Sequence, residues 1–336
     1  MQVFKPIYFD SFRCIAGQCP DSCCKEWDVQ MDEASAALYR SLPGELGEQL
    51  RSVLKEEDGE TVMTIIDGRC PMSREDGLCR IQAALGHDAL CHTCREFPRL
   101  THDYGDFVEK QLELSCPEAA RLILSADFAP FLAEECPGGE APEYDPEDMR
   151  LLRQARSAAL ALLEDPAYSV PEALALLLVY GYQAQSLLDG CDVPDFDPDA
   201  VLAQARQLAE PADPTALLDF FSGLEILTDA WRARLASPTP APWSEQLRNL
   251  ARYGIQRYWL QAISDFDLVG RVKLIVTSCI LVRTLGGDPI ATAQLYSKEI
   301  ENDADNIDAI LDGAYTAPAL TDAQLLGHLL PLRKTI

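Results

Sequence analysis

The chain has 336 residues, 48% hydrophobic and 24% charged, the make-up of a globular protein with room for two domains and a sizeable core. Its 54 acidic against 28 basic residues leave a net charge of −26, which excludes nucleic acid as the default partner, because phosphate backbones are bound by Lys and Arg that displace counterions. The longest apolar runs, "ALALLLVYGY" and "LIVTSCILV", are too short to span a membrane, and "MQVFKPIYFDSF" at the N-terminus has no basic stretch ahead of an apolar one. A cytoplasmic protein without leader or membrane anchor is expected, with an acidic surface that favours a basic target.

From the N-terminus to about residue 140 the chain is irregular and punctuated by Gly, Pro and Cys. The stretch "FRCIAGQCPDSCCKEW" crowds Cys14, Cys19, Cys23 and Cys24 together. Turn signals at Asp67-Gly68 and Asp76-Gly77 stand just before Cys70 and Cys79, so that thiols from distant segments can converge. Cys91, Cys94 and Cys116 follow, and "FVEKQLELSC" alternates apolar and polar residues like a short strand or hairpin arm. The acidic, Pro- and Gly-bearing "EECPGGEAPEYDPED" reads as a linker.

Beyond it the signals are helical. Asp145 followed by Pro146 has the form of an N-cap with proline at the first helical position, opening "MRLLRQARSAALALLED". Further helices are expected at about Pro171–Leu188, Pro198–Ala209, Pro214–Leu235, Ser244–Ile263, Leu268–Leu285 and Ala291–Glu301. No strand–helix alternation appears, which argues against a parallel sheet. The expected fold is mainly α: an irregular cysteine-rich metal-binding domain with short strands over residues 1–140, then an all-α domain over 141–336.

Nine of the twelve cysteines lie in the first 116 residues. In a reducing compartment that density points to metal or catalysis rather than disulfides, and thiolates suit zinc or an iron–sulfur cluster rather than magnesium or calcium. The C-x4-C-x3-C-C spacing is neither a zinc ribbon nor a ferredoxin run, so both remain open. Cys191 and Cys279 read as small buried hydrophobes. His92 and His102 are candidate ligands or supports.

The ordered segments "FRCIAGQCPDSCCKEWDVQMD", "CPMSREDGLCRIQAALG", "CREFPRL" and "LELSCPEAARLIL" resemble the successive N-terminal motifs of the flagellin lysine N-methylase family, itself similar to a broader group with a C-x3-C-C zinc- or iron-chelating cluster. Near the C-terminus, "YSKEIENDADNIDAIL" is similar to a further family segment, in which Ser297, Lys298, Ile300, Glu301 and Asn306 fit and Asn302 stands where a histidine is expected. "RNLARYGIQRYWL" is placed like an aromatic, asparagine-containing family helix.

The resemblance implies methyl transfer from S-adenosylmethionine to the ε-amine of a protein lysine, flagellin being the implied substrate, with a [4Fe-4S] cluster (zinc as the alternative) held by ligands from Cys14, Cys19, Cys23, Cys24, Cys70, Cys79, Cys94 and Cys116. Cys91 falls outside the family-like motif and is the least favoured. No Gly-rich strand–helix turn locates the donor. The lysine must lose a proton to attack, its ordinary pKa being about 10.4. Glu299 and Glu301 are carboxylates suited to orienting it, and Tyr253, Tyr258, Trp259 and Tyr296 are rings suited to a methylated cation. Glu301 is taken as the acidic partner of the lysine, and Asn302 as a hydrogen-bonding substitute for histidine. The competing reading is a non-catalytic iron–sulfur or zinc module with a helical partner-binding domain.

Overall fold

The structure, a computed structural model, describes residues 1–23, 28–57, 59–127, 130–139 and 141–330. The order begins β1 (Gln2–Pro6), β2 (Val29–Met31), α1 (Glu33–Ser41), α2 (Gly44–Val53), β3 (Leu54–Glu57) and β4 (Glu60–Met63). Two short helices, α3 (Arg80–Leu85) and α4 (His92–Glu96), precede β5 (Arg99–Asp103), β6 (Phe107–Leu112), α5 (Pro117–Leu124) and β7 (Phe131–Glu135). The rest is helical: α6 (Pro146–Glu164), α7 (Val170–Leu188), α8 (Pro198–Leu208), α9 (Pro214–Ser222), α10 (Asp229–Ala236), α11 (Glu245–Tyr258), α12 (Leu268–Leu285), α13 (Pro289–Tyr296), α14 (Ala304–Thr316) and α15 (Asp322–Leu329). A mainly α chain with small sheets is what the sequence predicts.

Local chemistry sets the helix starts. Asp145, Asp197, Asp213 and Asp288 cap α6, α8, α9 and α13, each followed by a proline whose missing N–H and fixed φ suit the first turn. Ser169 and Glu172 form a capping box on α7. The helix expected over Pro214–Leu235 is instead two, α9 and α10. The break is tertiary in origin: the Leu227 N–H and the Thr228 hydroxyl donate to the Glu299 carboxylate, which holds that segment out of helix.

The sheets hold a departure from expectation. In the order β5-β6-β1-β7, β1 runs parallel to β6, Gln2 opposite Phe107, and the other pairs are antiparallel. The crossover between β1 and β6 runs through the stretch from Cys14 to Cys94 rather than one helix, so no strand–helix period betrays it. The second sheet, β2-β4-β3, is antiparallel throughout.

Hydrophobic residues gather in two cores. The larger joins Phe9, Phe12, Phe107 and Leu112 near the first sheet to the helices, where Leu174, Leu176 and Leu177 of α7 are wholly buried. Truncating one of these leucines to Ala should cost about 2–5 kcal/mol. Helix α12 is buried almost all round. A Cβ on Gly254 of α11 would lie 2.9 Å from Ile275 of α12, so glycine is what lets those helices approach. The smaller core, from Val29 to Cys91, includes Tyr39, Leu50, Met63 and Met72. Among the described residues no helix is long and apolar enough to cross a membrane.

Candidate functional site

Four segments bring thiols to one cavity of about 360 Å³. Cys14, Cys19 and Cys23 come from the first loop, Cys70 and Cys79 from the turn region, Cys91 and Cys94 from the start of α4, and Cys116 from the start of α5. Cys24 lies outside the described residues. The turns are where the sequence puts them: Asp67 and Gly68 both have positive φ, as does Gly77. A Cβ on Gly17 would meet the Asp76 carbonyl at 2.5 Å, and one on Gly77 the Gly17 Cα at 3.1 Å. Only glycines at both positions let the Asp76-Gly77 turn press the Cys79 segment onto the Cys14–Cys19 loop.

Asp32 fixes the third segment. Its carboxylate caps α1 by accepting from the Ser35 N–H at 2.9 Å and reaches α4 by accepting from the His92 N–H at 2.7 Å. The His92 amide is the main reason its carboxyl falls to about 2. The Tyr39 hydroxyl donates to the Ala89 carbonyl at 2.7 Å, tying α1 to the same segment. Cys79, Cys91 and Cys116 occupy the N-cap positions of α3, α4 and α5. Their acidities diverge. A hydrogen bond from Cys94 holds the Cys91 thiol down at about 7, whereas burial pushes Cys116 up to about 11. Cys91 thus shares the cavity with the thiols that the family-like motifs single out.

Eight thiols on one cavity form a donor set of the soft kind that zinc or an iron–sulfur cluster takes. Among the described residues no three Cys, His, Asp or Glu side chains converge closely enough to hold an ion. His92 is exposed and does not line the cavity, and His102 sits on β5 with its buried Nε2 making no hydrogen bond. Cys279 is wholly buried with its thiol on the Leu247 carbonyl at 3.6 Å, whereas Cys191 is exposed.

The C-terminal motif docks against this cysteine loop. Lys298 Nζ lies 3.1 Å from the Asp21 carboxylate, and Gln294 Nε2 donates to that carboxylate at 3.2 Å and to the Ser115 carbonyl at 2.7 Å. Between α13 and α14, residues Ser297–Glu301 form a π-helical turn, closed by the Asn302 N–H donating to the Ser297 carbonyl at 3.2 Å. The turn sends Glu301 and Asn302 to different places. Glu301 is inside, 3% exposed, accepting from the hydroxyls of Tyr258 (2.7 Å), Tyr253 (3.1 Å) and Ser297 and from Arg257 at 3.3 Å. Burial holds the Tyr253, Tyr258 and Tyr296 phenols far above their ordinary pKa.

Asn302 instead lines a second cavity, of about 420 Å³, with Asp28, Glu113, Glu225, Glu299 and Asp303, and Lys298 as its cation. Phe97 stands in the wall of both cavities, which therefore adjoin. Asn306, expected to share a face with Asn302 on a continuous helix, is turned away because the helix restarts at Asp303. It clips the chain, accepting from the Glu225 N–H and donating to the Glu225 and Glu299 carbonyls, each within 3.0 Å. Burial raises the carboxyls of both Glu113 and Glu299. For Glu113 the rise persists against Arg257, the Ser115 hydroxyl that donates to it at 3.0 Å, and Asn302.

Sequence reasoning passed over Glu113, although it lies within the quoted strand. Period two places Glu109, Gln111 and Glu113 on one side, and that polar side points inward: Glu109 and Gln111 are 1% and 2% exposed, held by Arg156 and the Gln256 carbonyl. The alternation itself gives no warning, since Lys110 stands on the other side and a polar strand face ordinarily meets solvent.

Fold and site together define a mainly α protein in which a thiol-lined cavity opens beside a carboxylate-lined one. The chain is 34% identical over 140 residues to the flagellar biosynthetic protein FliU of Salmonella muenchen, a match covering 40% of this chain and 83% of that protein, and it belongs to that family. It is equally similar, 34% over 140 residues, to lysine-N-methylases of Salmonella typhimurium and Salmonella choleraesuis, where the match covers only 35% of each relative's length. No family model matches the chain. No solved structure does either.

Proposed function

We propose that this protein transfers a methyl group from S-adenosylmethionine to the ε-amine of a protein lysine, and that the carboxylate-lined cavity receives that amine. The observation that carries the reading is the adjacency of the two cavities at Phe97, with Lys298 and Asp21 tying their walls together. The names of the lysine-N-methylase relatives support it.

A lysine side chain arrives as an ammonium, and a cavity with five carboxylates and one lysine attracts it. Attack needs the neutral amine. Glu113 is suited to take the proton, because burial makes its carboxylate more basic than an ordinary one, and Asn302 beside it orients the pair. The nitrogen lone pair then forms a bond to the methyl carbon, the carbon–sulfur bond breaks with its electrons passing to sulfur, and S-adenosylhomocysteine leaves. In this scheme Glu301 does not meet the lysine. Saturated by its four donors, it fixes the tyrosines and the π-turn that present Asn302.

The thiol cavity is the proposed seat of a [4Fe-4S] cluster, with ligands from Cys14, Cys19, Cys23, Cys24, Cys70, Cys79, Cys94 and Cys116, and with Cys91 added by its place on the wall. When bound, a cluster supplies a cross-link between segments and an exchangeable electron.

The test is anaerobically purified protein mixed with isotopically labelled S-adenosylmethionine and flagellin, read by mass spectrometry of lysine peptides. Labelled methyl-lysine is expected, with iron and sulfide in the protein. No transfer to any lysine of flagellin or of a mixed protein extract would overturn the enzymatic reading. Stoichiometric zinc without iron would replace the cluster by its alternative.

A further inference from the structure

A third cavity, also about 360 Å³, lies between the start of β6 and α6, with Tyr144 on its wall. Phe107 and Met149 stand behind it and are already covered, 2% and 4% exposed, with the Tyr104 ring stacked on Phe107 at 4.8 Å. Arg153 of α6 lies over two rings at once, its guanidinium carbon 5.0 Å from the Phe4 centroid and 4.8 Å from that of Phe107. Stacking holds the group in place without using its N–H donors. Among the described residues no carboxylate pairs with it and no acceptor takes its hydrogen bonds, in a chain where acids outnumber bases by 54 to 28. The neighbouring arginines are committed, Arg150 to Glu147 and Gln154, Arg156 to Glu109.

Asp106 carries the opposite charge on the same cavity. One of its oxygens accepts from the Tyr144 hydroxyl, and the other takes no hydrogen bond among the described residues. Tyr144 feels both groups: burial raises its phenol most, Asp106 pushes it further up and Arg153 pulls it down. The site therefore offers a fixed fork of donors and one open carboxylate oxygen. A phosphate would meet the fork but be repelled by Asp106; a simple amine would meet the reverse.

We propose that this cavity binds a free amino acid, its carboxylate on Arg153 and its ammonium against Asp106. A single fork–carboxylate pair and a single amine contact imply modest affinity, and the volume fits a small ligand. The proposal stands apart from the methyl-transfer reading and uses none of its residues.

The test is calorimetric titration of the full chain with L-leucine, N-acetyl-L-leucine and inorganic phosphate. L-leucine is expected to saturate, and N-acetyl-L-leucine, which has no ammonium, to bind about tenfold more weakly or worse. Arg153→Met keeps an unbranched stem over the rings and is expected to weaken L-leucine about tenfold with an unchanged melting temperature. If that variant fails to fold, Arg153→Lys, which keeps the charge but not the fork, serves the same comparison. Asp106→Asn should weaken L-leucine and leave N-acetyl-L-leucine unchanged. No saturable heat from L-leucine at about 10 mM, tighter binding of phosphate, or undiminished binding by the Arg153 variants would each overturn the site.

Discussion

Glu113 shows what a single buried carboxylate costs and what it offers. Its pKa is raised by burial, so the folded chain keeps the proton to higher pH than the unfolded chain does. Stability on this account is greatest at low pH, falls as pH rises from the ordinary carboxyl range through the raised value, and is level above it. Glu113→Gln removes the loss. The variant is expected to melt higher than the parent at neutral pH, with the difference closing below about pH 4, while methyl transfer falls by about a hundredfold or more for want of a proton acceptor. Calorimetric melting across pH and labelled-methyl turnover check both halves; an unchanged turnover would remove Glu113 from the chemistry. The cysteines were legible in the sequence because a thiol carries its chemistry wherever it sits. Glu113 was not, because only its neighbours Glu109 and Gln111, buried on the same strand face, tell that this side of β6 looks inward.

At the scale of elements, turns and caps decide which segments meet. Gly77 combines a φ of +77° with the Gly17 Cα lying 3.1 Å from where a Cβ would sit, and it holds the Cys79 segment on the first cysteine loop. Gly190, at the end of α7, has nearly the same φ, +76°, with nothing within 4 Å. Gly77→Ala should therefore cost about 1–3 kcal/mol, more than Gly190→Ala, and should also lower iron content, which Gly190→Ala should leave alone. Denaturant titration with metal analysis separates the two effects, and equal iron in both variants would show that this contact does not assemble the thiols. The Asp-Pro starts of α6, α8, α9 and α13 and the Asp-Gly turns were readable because their cause lies within four residues. The break between α9 and α10 and the π-turn at Ser297–Glu301 were not. Glu299 enforces the first from a distant segment, and the ring of Tyr253, Tyr258 and Arg257 around Glu301 surrounds the second.

Across the whole molecule the two cores differ in what sustains them. The larger has long helices, α12 among them buried almost all round, and so the greater apolar burial. The smaller, from Val29 to Cys91, holds few large side chains among short elements, and the thiol cavity lies against Met31, Tyr39, Met63 and Met72 of that core. A core of that size gains much of its stability from cross-links, and the proposed metal group, held by thiols from four segments, would be one. Binding energy there is folding energy. On the proposed cluster, removing iron from anaerobically purified protein should therefore raise amide hydrogen exchange across residues 28–96, together with the cysteine loop, and leave α6, α7, α11 and α12 as protected as before. Lys298 and Asp21 are the point where any further loosening would pass into the C-terminal motif, so exchange at Ser297–Glu301 should rise next and by less. Hydrogen-exchange mass spectrometry with and without chelator reads all three regions in one experiment. A uniform rise over the chain would mean that the cores fold as a unit, and no rise in the small core would mean that the thiols hold nothing that its packing needs.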